Sequence, residues 1–220
     1  MCGRYNLRSK TADFNRLFDV SLASELEPLL NRSNIAPTQT VLAVRPVDDR
    51  REAVALRWGL VPSWAKDLKL GARMINARAE TVASKPSFRA AFKPRRCLIP
   101  ASGFYEWQGS KGDKQPYHIF AKDQSPLAFA GLWEEWNGGA DGPLQTCTIL
   151  TTSANATLAP LHDRMPVILP TDAQSLWLDD HSPGELLESL LQPAADELLA
   201  LEPVTRELNN VRYTGPVGRV

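Results

Sequence analysis

The sequence is poor in cysteine and histidine, and its absences narrow the chemistry before any motif is considered. Three cysteines, Cys2, Cys97 and Cys147, stand far apart, odd in number and without a C-x-x-C pair. That argues against both a disulfide framework and a zinc site. No apolar run approaches the ~20 residues of a membrane span. The first residues carry Arg4, Arg8 and Lys10 with no apolar block behind them, so no signal peptide is expected and the expected compartment is the cytoplasm. Lys and Arg total 25 against 25 Asp and Glu, so no global field advertises a nucleic-acid partner. No linker rich in Pro, Gly or Ser divides the chain, no internal repeat is visible, and no motif implies a metal or an organic cofactor.

What is present is an ordinary globular composition, 43% hydrophobic and 23% charged over 220 residues, enough to bury a real core. The charges are unevenly spread. From Arg73 to Arg96 seven cations face only Glu80, and from Asp172 to Glu207 nine acids face only Arg206. Each segment is either a solvated face or, for the basic one, a local phosphate-binding surface.

Periodicity predicts an α+β fold over residues 1–220 as one domain, with a central antiparallel sheet that curls into a barrel and flanking helices. Thr11 is expected to cap a helix carrying Phe14, Leu17 and Phe18, with Leu22 to Leu30 continuing as helix or irregular turn until Asn31-Arg32-Ser33-Asn34 breaks it. Val41 to Val47 and Ala53 to Leu60 form a hairpin around Asp48-Asp49-Arg50, and Met74 to Arg78 is an extended turn. Cys97 to Pro100, Gly103 to Trp107, Pro116 to Ala121, Leu127 to Trp133 and Gln145 to Thr152 are strands of a β-meander, with Asn137 to Pro143 a loop. Thr171 caps a helix through Leu178, Pro183 opens another at its first position, and Val204 and Val211 to Val217 return as edge strands.

The residue that organises the chemistry is Cys2. Removal of Met1, which the small side chain of Cys2 favours, leaves a 1,2-aminothiol. An α-amine titrates at about 7.7–8.0 and a free thiol near about 8.5, so each has a nucleophilic fraction at neutral pH without special tuning. An aldehyde can form a Schiff base with the amine and be closed by the thiol into a thiazolidine. Four further polar residues sit in apolar or aromatic surroundings: Asn76, Glu106, Thr151 and His162. Glu106, between Tyr105 and Trp107, is either on a solvent face or in a partly dry pocket where its pKa rises toward the range useful for proton transfer. His162 has Asp163 and Arg164 beside it to fix its orientation. His118 and His181 read as structural, Cys97 and Cys147 as small buried groups, and Trp58 and Trp133 as core. Trp64, after a loop proline, is a candidate exposed stacking surface for a base.

Six segments then coincide in order: Met1-Cys2-Gly3-Arg4-Tyr5, Asn34-Ile35-Ala36-Pro37, Trp58-Gly59-Leu60-Val61-Pro62, Ile75 to Thr81, Gly103-Phe104-Tyr105-Glu106-Trp107 and His162-Asp163-Arg164-Met165-Pro166. Together they resemble the motifs of the SOS response-associated peptidase (SRAP) family, the abasic-site processing proteins, over nearly the whole chain. The resemblance implies a protein that acts on abasic sites in single-stranded DNA, linking its N-terminal cysteine to the ring-opened sugar as a thiazolidine. By position, it implies Cys2 as nucleophile, Asn76 orienting the sugar or the amine, Glu106 as acid and base for ring opening and adduct reversal, and His162 stabilising the intermediate. Arg4, Arg78 and Arg164 match basic DNA-contacting positions, Trp64 and Trp107 aromatic ones, and Thr151 lines the site. One departure is Lys85-Pro86 where the resemblance leads one to expect an arginine, which implies a weaker or absent phosphate contact there.

Three functions are compatible with these residues. Covalent capture of abasic sites, with or without strand scission by β-elimination, needs the free amine of Cys2. An N-terminal-nucleophile peptidase would use that amine as base for the thiolate, with Asn76 in an oxyanion hole. A single-strand binding module would need only the basic segment and the tryptophans. A monomer is expected, with single-stranded DNA as partner and no membrane.

Overall fold

The structure, a computed structural model, describes residues 2–48, 50–110, 112–139 and 142–217. Met1, Asp49 of the expected hairpin turn, and Ala140 and Asp141 of the expected loop lie outside the described residues.

In chain order the elements are β1 (Tyr5–Arg8), α1 (Thr11–Phe18), β2 (Asn31–Ile35), β3 (Thr40–Val47), β4 (Arg50–Trp58), β5 (Asn76–Arg78), α2 (Arg89–Phe92) and β6 (Arg96–Ala101). There follow β7 (Gly103–Gln108), β8 (Gln115–Ala121), β9 (Leu127–Trp136), β10 (Leu144–Ser153), β11 (Arg164–Pro166), α3 (Thr171–Leu178), α4 (Gly184–Ser189) and β12 (Leu199–Pro203). The fold is α+β. Five strands close into a barrel in the order β10-β4-β3-β6-β9 and back to β10, and a second sheet runs β12-β8-β7-β1-β2. Pairing is antiparallel except where β10 meets β4 and β5.

The two layers meet through aromatic residues on their facing sides. Tyr5 packs edge-on against Trp58 with ring centres 5.3 Å apart, and Phe104 against Phe129 at 5.9 Å. All four rings are fully buried, which is where sequences of alternating apolar residues place their inward side chains. β6 is buried along its whole length because the barrel covers one face and α3 the other.

Several local expectations are corrected. Asn31–Ile35 is a strand, not a break: it pairs with β1, and an edge position tolerates its polar residues. The central strands do not form a meander. β6 and β9 belong to the barrel while β7 and β8, between them in sequence, belong to the other sheet. Thr11 and Thr171 are first helical residues, not caps; Lys10 and Pro170 hold those positions, and the Thr11 hydroxyl donates instead to Glu27 (3.0 Å). Pro183 likewise precedes its helix by one position. Of the expected extended turn Met74 to Arg78, only Asn76–Arg78 is extended, paired as β5; Met74 ends a 3-10 helix over Leu68–Arg73 and Ile75 is a bend. Val204 makes only an isolated bridge, and Val211 to Val217 is irregular. Trp133 is only half-buried, stacked under Arg45 at 4.5 Å.

One charge lies deep in this core. Arg96 is 1% exposed, and its guanidinium donates to the carbonyls of Trp177 (2.6 Å), Phe92 (2.8 Å) and Asp179 (2.8 Å), with Asp180 at 3.3 Å. It ties α2, β6 and the end of α3 together. Arg96→Met keeps the apolar stem but strands three acceptors, and is expected to cost about 2–5 kcal/mol in a urea titration. A loss below about 0.5 kcal/mol would contradict this role for the guanidinium.

Candidate active site

Strand β10 gathers one half of the site. Along one edge it receives β4 at Thr146 and Cys147, then β5, which sets Asn76 opposite Ile149 and Arg78 opposite Thr151. The two strands share one track, and residues 59–75 leave it and return. Backbone bonds close the excursion: Gly59 N–H donates to Cys147 O (2.8 Å), Leu60 N–H to Met74 O (3.1 Å), and the Trp58 indole to Ile75 O (2.9 Å). The chain crosses itself at two glycines. Gly59 has φ +125°, and a Cβ on Gly71 would fall 2.5 Å from Gly59 O, so both positions require glycine. Along its other edge β10 meets β9 and then β11, with Ser153 opposite Arg164. Asn76, Thr151, Arg78 and Arg164 therefore converge on the second half of one strand.

The second half comes from the amino-terminal residues. Arg4 O accepts a hydrogen bond from Tyr105 N–H (2.9 Å), so the lead into β1 runs beside β7 near Glu106. Cys2 is fully buried. Burial pushes its thiol well above the ordinary range, the Glu106 charge adds to this, and the amino-terminal charge and a backbone hydrogen bond from Arg4 oppose it. This corrects the expectation of an untuned thiol: at neutral pH the sulfur keeps its proton. Glu106 is 6% exposed, which settles its position in favour of the dry pocket. Burial pushes its carboxyl up to about 7, against the pull of the amino-terminal charge and Lys114, while Asp163 pushes the same way as burial. His162 is half-buried, and burial followed by the amino-terminal charge holds it below its ordinary value. Cys2, Glu106 and His162 all respond to one amino-terminal charge, that of the chain with Met1 still in place.

The His162 ring is under two opposed demands. Arg164 N–H donates to Nδ1 (2.9 Å), which needs the lone pair, while the Asp163 carboxylate stands 2.8 Å from the same atom, which suits a proton. With Nδ1 accepting from Arg164 the neutral ring carries its proton on Nε2; with a proton on Nδ1 it donates to Asp163 instead. Asn76 donates from Nδ2 to Ile149 O (3.4 Å), and among the described residues its buried Oδ1 accepts no hydrogen bond. An unsatisfied acceptor of this kind suits an incoming N–H or O–H donor. No three His, Cys, Asp or Glu side chains converge as metal ligands would among the described residues.

The basic and aromatic candidates are less uniform. Arg78 is exposed. Arg164 is half-buried and committed to Glu80 through both terminal nitrogens, one at 2.9 Å, and to Thr151 O (2.5 Å). Thr151 is buried and bonds Ala77 O (3.5 Å). Arg4 is not an open cation either: it lies over the Trp107 ring at 5.3 Å and donates to Asn34 Oδ1 (2.7 Å) and Leu208 O (3.1 Å). Alternation along β7 puts Trp107 on the side of Tyr105, packed with Val204 and Leu208, and not on that of Glu106. Trp64 is 60% exposed, as expected, but sits apart from the cluster. Its neighbour Ala65 is fixed by the Trp136 indole (2.7 Å) near Leu144, and Leu144 to Thr151 is seven residues, roughly 23 Å along a strand. Lys85 stands over Phe88 at 5.7 Å.

Sequence reasoning missed Glu80 and Lys114 as side chains acting on these groups, and Asn34 as the partner of Arg4. Glu80 was visible as the one acid in the basic segment. Lys114 and Asn34 act only through the fold.

The signature of the family described as SOS response associated peptidase (SRAP) matches residues 1–211. The chain belongs to the SRAP family. The abasic site processing protein YoqW of Bacillus subtilis (strain 168) is 41% identical to this SRAP chain over 219 residues, covering 98% of this chain and 97% of YoqW. The abasic site processing protein HMCES of Xenopus tropicalis is 32% identical over 225 residues, covering 88% of this chain and 66% of HMCES. An X-ray structure of a Bacteroides thetaiotaomicron protein superposes with a TM-score of 0.84 at 25% identity, covering 94% of this chain and 93% of that one. The fold expected of an SRAP protein is thus the fold observed.

The raised Glu106 value has a stability consequence. Below its ordinary value of 4.5 the carboxyl is neutral in both folded and unfolded chains; above about 7 it is charged in both, and only the folded chain carries the burial penalty. Its contribution is fully present below pH 4.5 and lost as pH rises through about 7, at about 1.4 kcal/mol per pH unit, or roughly 3 kcal/mol in all. Glu106→Gln is expected to flatten this part of the urea midpoint profile between pH 5 and 8. Parallel profiles for the two proteins would refute the buried, proton-binding carboxyl.

Proposed function

We propose that this chain processes abasic sites in single-stranded DNA by capturing them covalently on Cys2 after Met1 is removed. The observation that carries the reading is Glu106: buried, poised near neutrality, and within electrostatic reach of the Cys2 thiol. The names of the relatives support abasic DNA as the substrate class.

The chemistry follows from the protonation states. The ring-opened sugar offers an aldehyde at C1′. The buried thiol keeps its proton, so the α-amine attacks first, and the carbinolamine loses water as protonated Glu106 donates to the departing oxygen. The carboxylate then takes the thiol proton, sulfur adds to the imine carbon, and a proton finishes on the ring nitrogen. The sum is amine, thiol and aldehyde to thiazolidine and one water, with no redox change. Asn76 Oδ1 accepts from the amine or a sugar hydroxyl, and His162 donates from Nε2 to the oxygen of the intermediate. Arg78 and Arg164 take phosphates, Arg164 by exchanging Glu80 for a phosphate oxygen.

A denaturing gel of the protein with a single-stranded oligonucleotide carrying one abasic site tests this reading. Wild type is expected to give a slow band absent with intact DNA and with Cys2→Ala. Glu106→Gln should slow band formation by about 10²–10³-fold and remove the bend near pH 7 from the rate profile. No band from protein whose mass shows Met1 removed would overturn capture in favour of the peptidase reading.

The Glu80 clamp supplies a second expectation. Glu80→Gln frees Arg164, so affinity for intact single strands should rise about three- to tenfold at low salt, with a steeper salt dependence. An unchanged or weakened affinity would mean Arg164 does not reach the phosphates.

A further inference from the structure

The segment Asn34-Ile35-Ala36-Pro37 has no part in the chemistry above, yet Asn34 is among the most heavily bonded side chains in the structure. It is 8% exposed, lies near the end of β2, and spends its whole amide on two distant parts of the chain. Oδ1 accepts from the Arg4 guanidinium (2.7 Å), while Nδ2 faces the carbonyls of Tyr213 (2.8 Å), Asn210 (3.3 Å) and Val211 (3.3 Å). Residues 205–213 cross the outer face of the second sheet as a strap. Leu208 is buried against Tyr105, and Asn209 accepts from the Trp107 indole (2.7 Å) and donates to Lys114 O (3.2 Å).

Arg4 is the link from this strap to the reactive residue. Its side chain is held by Asn34, by Leu208 O (3.1 Å) and by the Trp107 ring. Its carbonyl accepts from Tyr105 N–H (2.9 Å), which fixes the backbone two residues after Cys2. Cys2 and Gly3 precede the first strand residue, so no ladder pairing of their own fixes them. Arg4 supplies that constraint.

We infer that Asn34 is a positioning residue: by bonding Arg4 and the 205–213 strap together it holds Cys2 buried and in register beside Glu106. The gain lies in geometry, since displacing a reacting atom by about 1 Å costs on the order of 10²-fold in rate. This assigns Arg4 and Trp107 a structural task that DNA contact alone does not require. The consequence for rate rests on the capture chemistry proposed above; the consequence for Cys2 burial does not.

The test therefore reads both. Protein with Met1 removed is treated with iodoacetamide under native conditions, and alkylation of each cysteine is followed by mass spectrometry, with buried Cys97 and Cys147 as internal controls. Asn34→Ala is expected to speed alkylation of Cys2 at least about tenfold and leave the other two unchanged. The single-turnover rate of adduct formation should fall by about tenfold or more, with affinity for an intact strand altered less than about twofold. Asn209→Ala loosens the strap from its other side with Asn34 and Arg4 intact, and should act in the same direction more weakly. Unchanged Cys2 alkylation in both variants overturns the inference, as does faster alkylation of all three cysteines, which reports general loosening. Faster alkylation of Cys2 alone, in a protein whose wild type forms no adduct, upholds the strap and rejects the capture chemistry.

Discussion

The site depends on the pairing of β10 on both edges. A strand of ten residues offers more ladder than any single neighbour uses, and each edge is shared between two partners: β4 then β5 on one, β9 then β11 on the other. The first partners close the barrel. The second are strands of three residues each, too short to be stable alone, and they persist because β10 is already held rigid by the closed sheet. Asn76 and Arg164 are carried on those two short strands, so the precision of the polar cluster is borrowed from the barrel. The glycine crossing at Gly59 and Gly71 matters for the same reason: it lets the chain leave the track and regain it with Asn76 in register.

Burial does the rest of the chemical work. Glu106 and Cys2 are both deprived of water, and the effect has the same sign on each, disfavouring the charged form. For a carboxyl that begins near 4.5 the result is a group able to give and take protons near pH 7; for a thiol that begins near 9 the result is a group that holds its proton. One physical cause thus separates the two groups and, in the capture chemistry proposed, orders the steps, amine before sulfur. It also argues against a resting thiolate, and a cysteine peptidase attacking through such a thiolate would have to overcome the burial that raises the Cys2 value.

How much of this was legible in the sequence depended on whether a feature is local. Helices α1, α3 and α4, the hairpin and every long strand follow from periodicity, whereas the single turn α2 was not expected, and Glu106 between two aromatics already signalled an unusual carboxylate. Failures arose where pairing overrides propensity. Asn31–Ile35 looks like a break because its residues are polar, yet an edge strand needs only a neighbour. The expected meander assumed that consecutive strands pair, whereas the chain changes sheets between Ala101 and Gly103 and returns at Leu127. Thr11 and Thr171 are good capping residues by type, but their hydroxyls do not cap, and the chain enters both helices one residue earlier. The tuning of Cys2 was invisible, because a thiol's surroundings are set by residues a hundred positions away.

The basic residues show most clearly why position in a motif does not settle a role. Arg4, Arg78 and Arg164 look equivalent as cations in a sequence. Folded, Arg78 is exposed, Arg164 is clamped by Glu80, and Arg4 is braced by Asn34 and the carbonyl of Leu208. A guanidinium with five donors can serve a carbonyl, an amide and an aromatic face at once, which suits it to bracing as well as to phosphate binding. Where its donors are spent inside the protein, a phosphate must offer more than the bonds it replaces. On that balance, the exposed Arg78 is the cation most readily available to a strand that approaches the Asn76 edge of β10.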